Sequence, residues 1–161
     1  MRKLIFLLAL SSLSALIASC TERKPINKIN GINVLIVSDY DFTMNSKQAV
    51  SIIFGESNSN YCSVTIYRDS IKPGYLSTSR QKSVTDLSLD CNWDGENYLQ
   101  SSKHPTSANI NIVRLDSVNK TAEIKISLHL VNPSSDKYFT LKDISLVLNE
   151  DKFANLVKKI P

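Results

Sequence analysis

A chain of 161 residues, 42% hydrophobic and 21% charged, has the make-up of one ordinary globular domain. Its four glycines and five prolines exclude collagen-like, glycine-repeat and low-complexity classes. The 19 basic and 15 acidic side chains form no stripe of Lys and Arg, which argues against a nucleic-acid partner.

In chain order, Arg2 and Lys3 come first, followed by an apolar and serine-rich run from Leu4 to Ile17 and the small residues Ala18 and Ser19. This is the layout of a secretory signal, and the run is shorter than the roughly 20 residues a membrane-spanning helix needs. The tetrapeptide Ile17-Ala18-Ser19-Cys20 resembles the lipobox of bacterial lipoproteins, an aliphatic residue and two small ones before an obligatory Cys. The resemblance covers residues 1–20 only, and the remainder resembles no nameable family. It implies that residues 1–19 are cleaved and that Cys20 becomes an acylated N-terminus. Two or more acyl chains make a stable anchor where one is marginal. Thr21 stands where an Asp would mark inner-membrane retention in enteric bacteria. The resemblance therefore implies an outer-membrane protein facing the periplasm of a Gram-negative bacterium. Loss of Arg2 and Lys3 would leave the mature chain 17 basic side chains (19 less two) against 15 acidic.

Residues 20–30 read as a lipidated Cys and a polar tether, and residues 31–161 as one β-rich domain. The run 32–37 is apolar on both faces, the pattern of a central strand. Residues 46–54 are ambiguous. Ser46 as cap and Gly55 as stop suit a helix, whereas Val50, Ile52 and Phe54 alternate as in a strand, which is the preferred reading. Residues 61–68 alternate and are rich in β-branched and aromatic types, and in 84–93 Leu87, Leu89, Cys91 and Trp93 share a face.

The clearest pattern is a long hairpin over 108–131. Ala122, Ile124, Ile126, Leu128 and Leu130 share one face, His129 lies on the other, and 116–120 supplies the turn. In 138–148 the apolar parity slips at Lys142-Asp143, which predicts a β-bulge. Phe153, Leu156, Val157 and Ile160 then follow helical spacing, with Asn149 as the expected cap and Lys158 and Lys159 at the far end. The expectation is an antiparallel β-sandwich or partly open barrel of about seven strands with a short C-terminal helix. The alternative is an α+β fold with a helix at 46–54.

With Cys20 acylated, Cys62 and Cys91 remain, 29 positions apart and each on the apolar face of its strand. In an oxidising compartment they predict one structural disulfide. Catalytic constellations are missing from the sequence. The glycines are scattered, there is no nucleophile elbow, and His104 and His129 lie far apart. No cofactor and no enzymatic activity is expected. Asp39 and Asp41 form a D-x-D that reads as a polar strand end. Asp90, Asn92 and Asp94 before Gly95 match the first half of a calcium loop, but Ser101 stands where the bidentate Glu belongs. An Asp-Gly turn is the simpler reading. The segments 69–83 and 94–107 read as long loops, and Tyr75, Tyr98 and Trp93 are the partner-binding candidates they offer, with core packing preferred for Trp93.

The functional expectation is a lipid-anchored, non-enzymatic module that binds another envelope protein. The alternatives are an inhibitor or immunity lipoprotein against a periplasm-acting enzyme, and an accessory lipoprotein of a secretion or pilus apparatus.

Overall fold

The computed structural model describes residues 26–27, 31–74, 76–80 and 87–159, with backbone course alone for 26–27 and 76–80. The signal segment, Cys20, Tyr75 and Ile160 lie outside the described residues. Among the described residues eleven strands follow one another: β1 (Ile26–Asn27), β2 (Asn33–Val37), β3 (Phe42–Met44), β4 (Lys47–Gly55), β5 (Tyr61–Tyr67), β6 (Leu76–Arg80), β7 (Leu87–Trp93), β8 (Glu96–Leu99), β9 (Ser107–Asp116), β10 (Thr121–Asn132) and β11 (Lys137–Asn149). A 3-10 turn at Arg68–Ser70 follows β5, and one helix, α1 (Glu150–Val157), follows β11.

All the strands belong to one sheet, whose main path runs β2-β4-β5-β7-β8-β10-β11. Strand β1 adds to β11 in parallel, β3 pairs with β4, and β9 pairs with both β10 and β6. The other pairings are antiparallel. Because β2 returns against β11, the seven-stranded path nearly closes as a barrel. The expected mainly-β fold with a terminal helix is what the chain adopts.

Alternation puts the core on the inner face. Cys62, Val64 and Ile66 of β5, Leu87, Leu89 and Trp93 of β7, and the five alternating apolar residues of β10 belong to one buried cluster. Phe153 and Leu156 bring α1 into the same cluster. The helix covers the seam, packing against β2, β10 and β11. Lys152 Nζ donates to the Val34 carbonyl, and Asn155 Nδ2 donates to that of Val37 at 3.3 Å. Carbonyls of the edge strand β2 thus find donors within the molecule instead of a second sheet. Asn149 stands at the N-cap position as expected, but its side chain makes no capping bond.

Segment 46–54 is strand, not helix. Asn45 and Ser46 both have positive φ (50° and 62°) and form the two-residue turn of the β3–β4 hairpin, so Ser46 is a turn residue and not a cap. Gly55 is the last residue of β4, and it must be glycine because a Cβ there would stand 2.1 Å from the Asn60 carbonyl oxygen. The doubly apolar run 32–37 is an edge strand, not a central one. A register shift between Val34 and Ile36 disrupts its alternation, leaving Ile36 54% exposed. The bulge at Lys142-Asp143 is present. Opposite it, Ser127 Oγ accepts from the Asp143 N–H at 3.0 Å and donates to its carboxylate at 3.1 Å.

The two expected loops are shorter than read. Strand β8 is joined to β7 by the Asp94-Gly95 turn, with φ of 51° and 75°, and pairs Trp93 with Glu96. Strand β6, Leu-Ser-Thr-Ser-Arg, pairs with β9 although its sequence carries too little apolar alternation to announce a strand.

Candidate binding site beside Arg68

Cys62 and Cys91 face each other directly across β5 and β7, their sulfurs at bonding distance (2.03 Å). The loop so closed contains the whole excursion through the 3-10 turn and β6. A crosslink of this span stabilises by about 3–4 kcal/mol in the loop-entropy account.

Two of the three aromatic candidates, Trp93 and Tyr98, lie in the core. Trp93 is 4% exposed and Tyr98 is 1% exposed, each with its ring 5.1 Å from that of Phe139. The Tyr98 hydroxyl donates to Glu96 Oε2 at 3.1 Å. Strand pairing of β8 turns the Tyr98 ring inward, so neither aromatic presents its face to a partner. Tyr75, the third candidate, is outside the described residues.

Asp90, Asn92 and Asp94 occupy successive outward positions on β7 and its turn, an extended course that separates them instead of wrapping them round a cation. Asn92 Nδ2 donates to Asn97 Oδ1 at 3.3 Å, and the Asp94 N–H donates to Asn60 Oδ1 at 3.0 Å. Desolvation pushes the Asp90 carboxyl above its ordinary value. Ser101 is engaged in its own turn, its Oγ accepting from the N–H groups of Lys103 and His104. Among the described residues no group of three His, Cys, Asp or Glu is placed to hold a metal. The histidines also have separate roles. His104 Nε2 lies 3.7 Å from Asp136, while His129 stacks on Tyr138 and shares a 2.8 Å hydrogen bond with Thr140. In the D-x-D, Lys158 Nζ binds the Asp39 carbonyl at 3.0 Å and the Asp41 carboxylate at 3.1 Å.

That last contact leads to a site the sequence did not announce. The start of β4, the 3-10 turn after β5, the end of β9 and the end of α1 converge on a cavity of about 560 Å³, lined by Gln48, Arg68, Asp69, Ile71, Leu115, Leu156, Val157, Lys158 and Lys159. Its volume is within the range of small-molecule sites. Arg68 Nη1 donates to the carbonyls of Asn155 (3.0 Å), Leu156 (3.4 Å) and Lys158 (3.0 Å), where α1 runs out of internal partners. The other edge of the guanidinium, Nε and Nη2, is buried with no partner, and so is Gln48 Oε1. Burial lowers the Arg68 pKa and Asp41 opposes that shift. The group stays charged at any physiological pH.

A second cavity of about 720 Å³ lies between the β9–β10 turn and α1. No unpartnered buried side-chain atom of the described residues belongs to its lining. Gln100 Oε1 is also unpartnered but lines neither cavity. Sequence reading passed over Arg68 because one arginine after a regular strand has no distinguishing spacing. The one available signal was a long charged side chain directly after seven alternating residues.

No protein-family model, no curated protein and no solved structure matches the chain.

Proposed function

We propose that the chain is a lipid-anchored, non-enzymatic protein of the bacterial envelope whose β-domain binds another envelope protein. The observation that carries this reading is the lipobox-like Ile17-Ala18-Ser19-Cys20 after its signal-like segment. The early pairing of β1 supports it. Ile26 is already registered against Leu141, so six residue steps from Cys20 separate lipid from sheet. Extended, they reach no more than about 21 Å, which would hold the domain at the bilayer surface. Exposed apolar side chains on β2, on the loop after it and on α1 favour a protein partner. Ile36, Tyr40 and Val157 are 54%, 63% and 37% exposed, and Lys152, Asn155 and Lys158 tie α1 and its C-cap to the carbonyls of Val34, Val37 and Asp39.

In-cell cross-linking of the tagged chain followed by mass spectrometry tests both halves. The expected result is one abundant envelope protein, captured less by Tyr40→Ala and Ile36→Asp. Cys20→Ser is expected to leave the membrane fraction and lose the partner. Unchanged membrane association of Cys20→Ser would sink the anchor. Capture of nothing above background by the anchored protein would sink the docking role.

A further inference from the structure

We propose that the groove between the β9–β10 turn and α1 is a self-association surface whose occupant is a second copy of this chain, related to the first by a two-fold axis. The pairing rests on this groove alone and does not depend on the anchoring or docking role proposed above.

A two-fold interface uses the same patch on both copies, so the patch must carry a projection, a hollow to receive it, and both signs of charge. The groove has all of these. Val118, at the tip of the turn, is 90% exposed, the most exposed large apolar side chain among the described residues. Its tip is held in place before any partner arrives. Asp116 Oδ1 accepts from the N–H groups of Val118 at 3.1 Å and Asn119 at 2.9 Å, and Oδ2 accepts from Asn119 Nδ2 at 2.7 Å. A tip already fixed loses little freedom when it docks. Across from it, the exposed Ala154 and Val157 lie about one helical turn apart and form the apolar side of the groove. The Glu150 N–H donates to the Lys120 carbonyl at 3.0 Å, which ties the turn to the helix and keeps projection and hollow at one spacing.

Charge names the occupant. Lys120, Glu150 and Asp151 are exposed on the groove, and among the described residues none of their side chains has an ion pair or hydrogen bond. A partner of uniform charge would meet either Lys120 or the two carboxylates as like charge. A second copy, turned about an axis beside the Lys120–Glu150 hydrogen bond, brings its own Lys120 to the carboxylates and its own carboxylates to Lys120. The same rotation seats each Val118 on the other copy's Ala154 and Val157. One groove per copy is a small interface, so the pair exchanges with monomer.

The experiment is sedimentation equilibrium of the purified full chain from about 5 to 500 μM, a range that brackets a weak dimer. The expected result is a mass that rises with concentration from one chain toward two. Val118→Asp, which disturbs no packed side chain, is expected to stay monomeric. Lys120→Glu alone, and Glu150→Lys/Asp151→Lys alone, are each expected to weaken the pair by about tenfold or more. Mixing these two variants is decisive. Each carries the sign the other now needs at both symmetry-related contacts, so an equimolar mixture is expected to recover the dimer, which mixing cannot do for a misfolded chain. Monomer at every concentration, or a mixture that stays monomeric, overturns the proposal. Self-association that survives Val118→Asp, or that grows past two chains, overturns it too.

Discussion

Glu96 and Arg68 are both charged side chains drawn against the wall of the same sheet, and they are finished to different degrees. Glu96 Oε1 takes a hydrogen bond from Lys137 Nζ at 2.5 Å, while Oε2 accepts from the Tyr98 hydroxyl and from Asn132 Nδ2 at 3.3 Å. Both oxygens are engaged, so the charge ties β8 to the β10–β11 hairpin. Arg68 is satisfied on one nitrogen and unpartnered on two. The first arrangement is complete as architecture. The second leaves two buried donors unmet, and that separates a polar cluster whose hydrogen bonds are complete from one that carries a desolvation cost.

The largest effect should come from the finished side. Phe139 is fully buried and supports both Trp93 and Tyr98, so Phe139→Ala is expected to cost about 3–5 kcal/mol in chemical denaturation. Hydrogen exchange at the Arg68 guanidinium, followed at a temperature where the variant is folded, should be unchanged. Coupled loss of both would show that the two regions are one cooperative unit and would break the contrast. Next in size, the Cys62→Ala/Cys91→Ala double variant should lose about 3–4 kcal/mol. Thiol titration of the unfolded wild-type protein checks the premise, since a formed bridge leaves neither sulfur free.

At the unfinished side the sign itself is informative. Gln48→Leu removes a buried acceptor that has no partner, and the expected change is from zero to a gain of about 1 kcal/mol. A loss above 1 kcal/mol in the same denaturation measurement would mean that Gln48 is structurally engaged. Arg68→Met should destabilise, because the carbonyls at the end of α1 lose their donor. Part of that loss is returned when the two orphaned nitrogens go.

The long hairpin and the bulge at Lys142-Asp143 were legible because a period-two pattern with one wet face states its register, and a parity slip can only be an extra residue. The Cys62–Cys91 pairing followed from two strands whose apolar faces each carry one sulfur. What escaped was set by pairing and not by pattern. Strand β6 is polar and β8 is short; both exist because β9 and β7 offer them hydrogen-bonding edges. Edge or centre was equally invisible for β2, since apolar side chains on both faces suit a central strand and also an edge strand interrupted by a register shift. Tyr98 was misplaced for the same reason, as an aromatic in a supposed loop reads as exposed until a hairpin turns it inward. Arg68 needed more still, for its environment is assembled from β4, β9 and α1, and no local window contains them.

The smallest predicted effect is also the cleanest test of the finished state, because it is a slope and not a size. The Lys137 ammonium, reinforced by the Tyr98 hydroxyl and Asn132, holds the Glu96 carboxyl below its usual range against partial desolvation. In the β9–β10 turn, the N–H groups of Asn119 and Val118 and the Asn119 side chain do the same for Asp116. A carboxyl depressed in the folded state is still ionised when its unfolded counterpart starts to take up a proton. The unfolded chain therefore binds more protons as pH falls, and stability drops from the ordinary carboxylate range downward until the folded groups protonate too. Above that range the contribution is complete and flat. Melting temperatures of wild type, Glu96→Gln and Asp116→Asn between pH 7 and pH 3 should differ most at pH 7 and converge toward acid. Asp90 runs the other way. Its raised carboxyl weakens the fold at neutral pH, so Asp90→Asn should gain there and lose its advantage as pH falls. Parallel curves for Glu96→Gln and wild type would mean that the Lys137 contact contributes no charge-dependent stability. The region taken as finished would then be no better settled than the cavity beside Arg68.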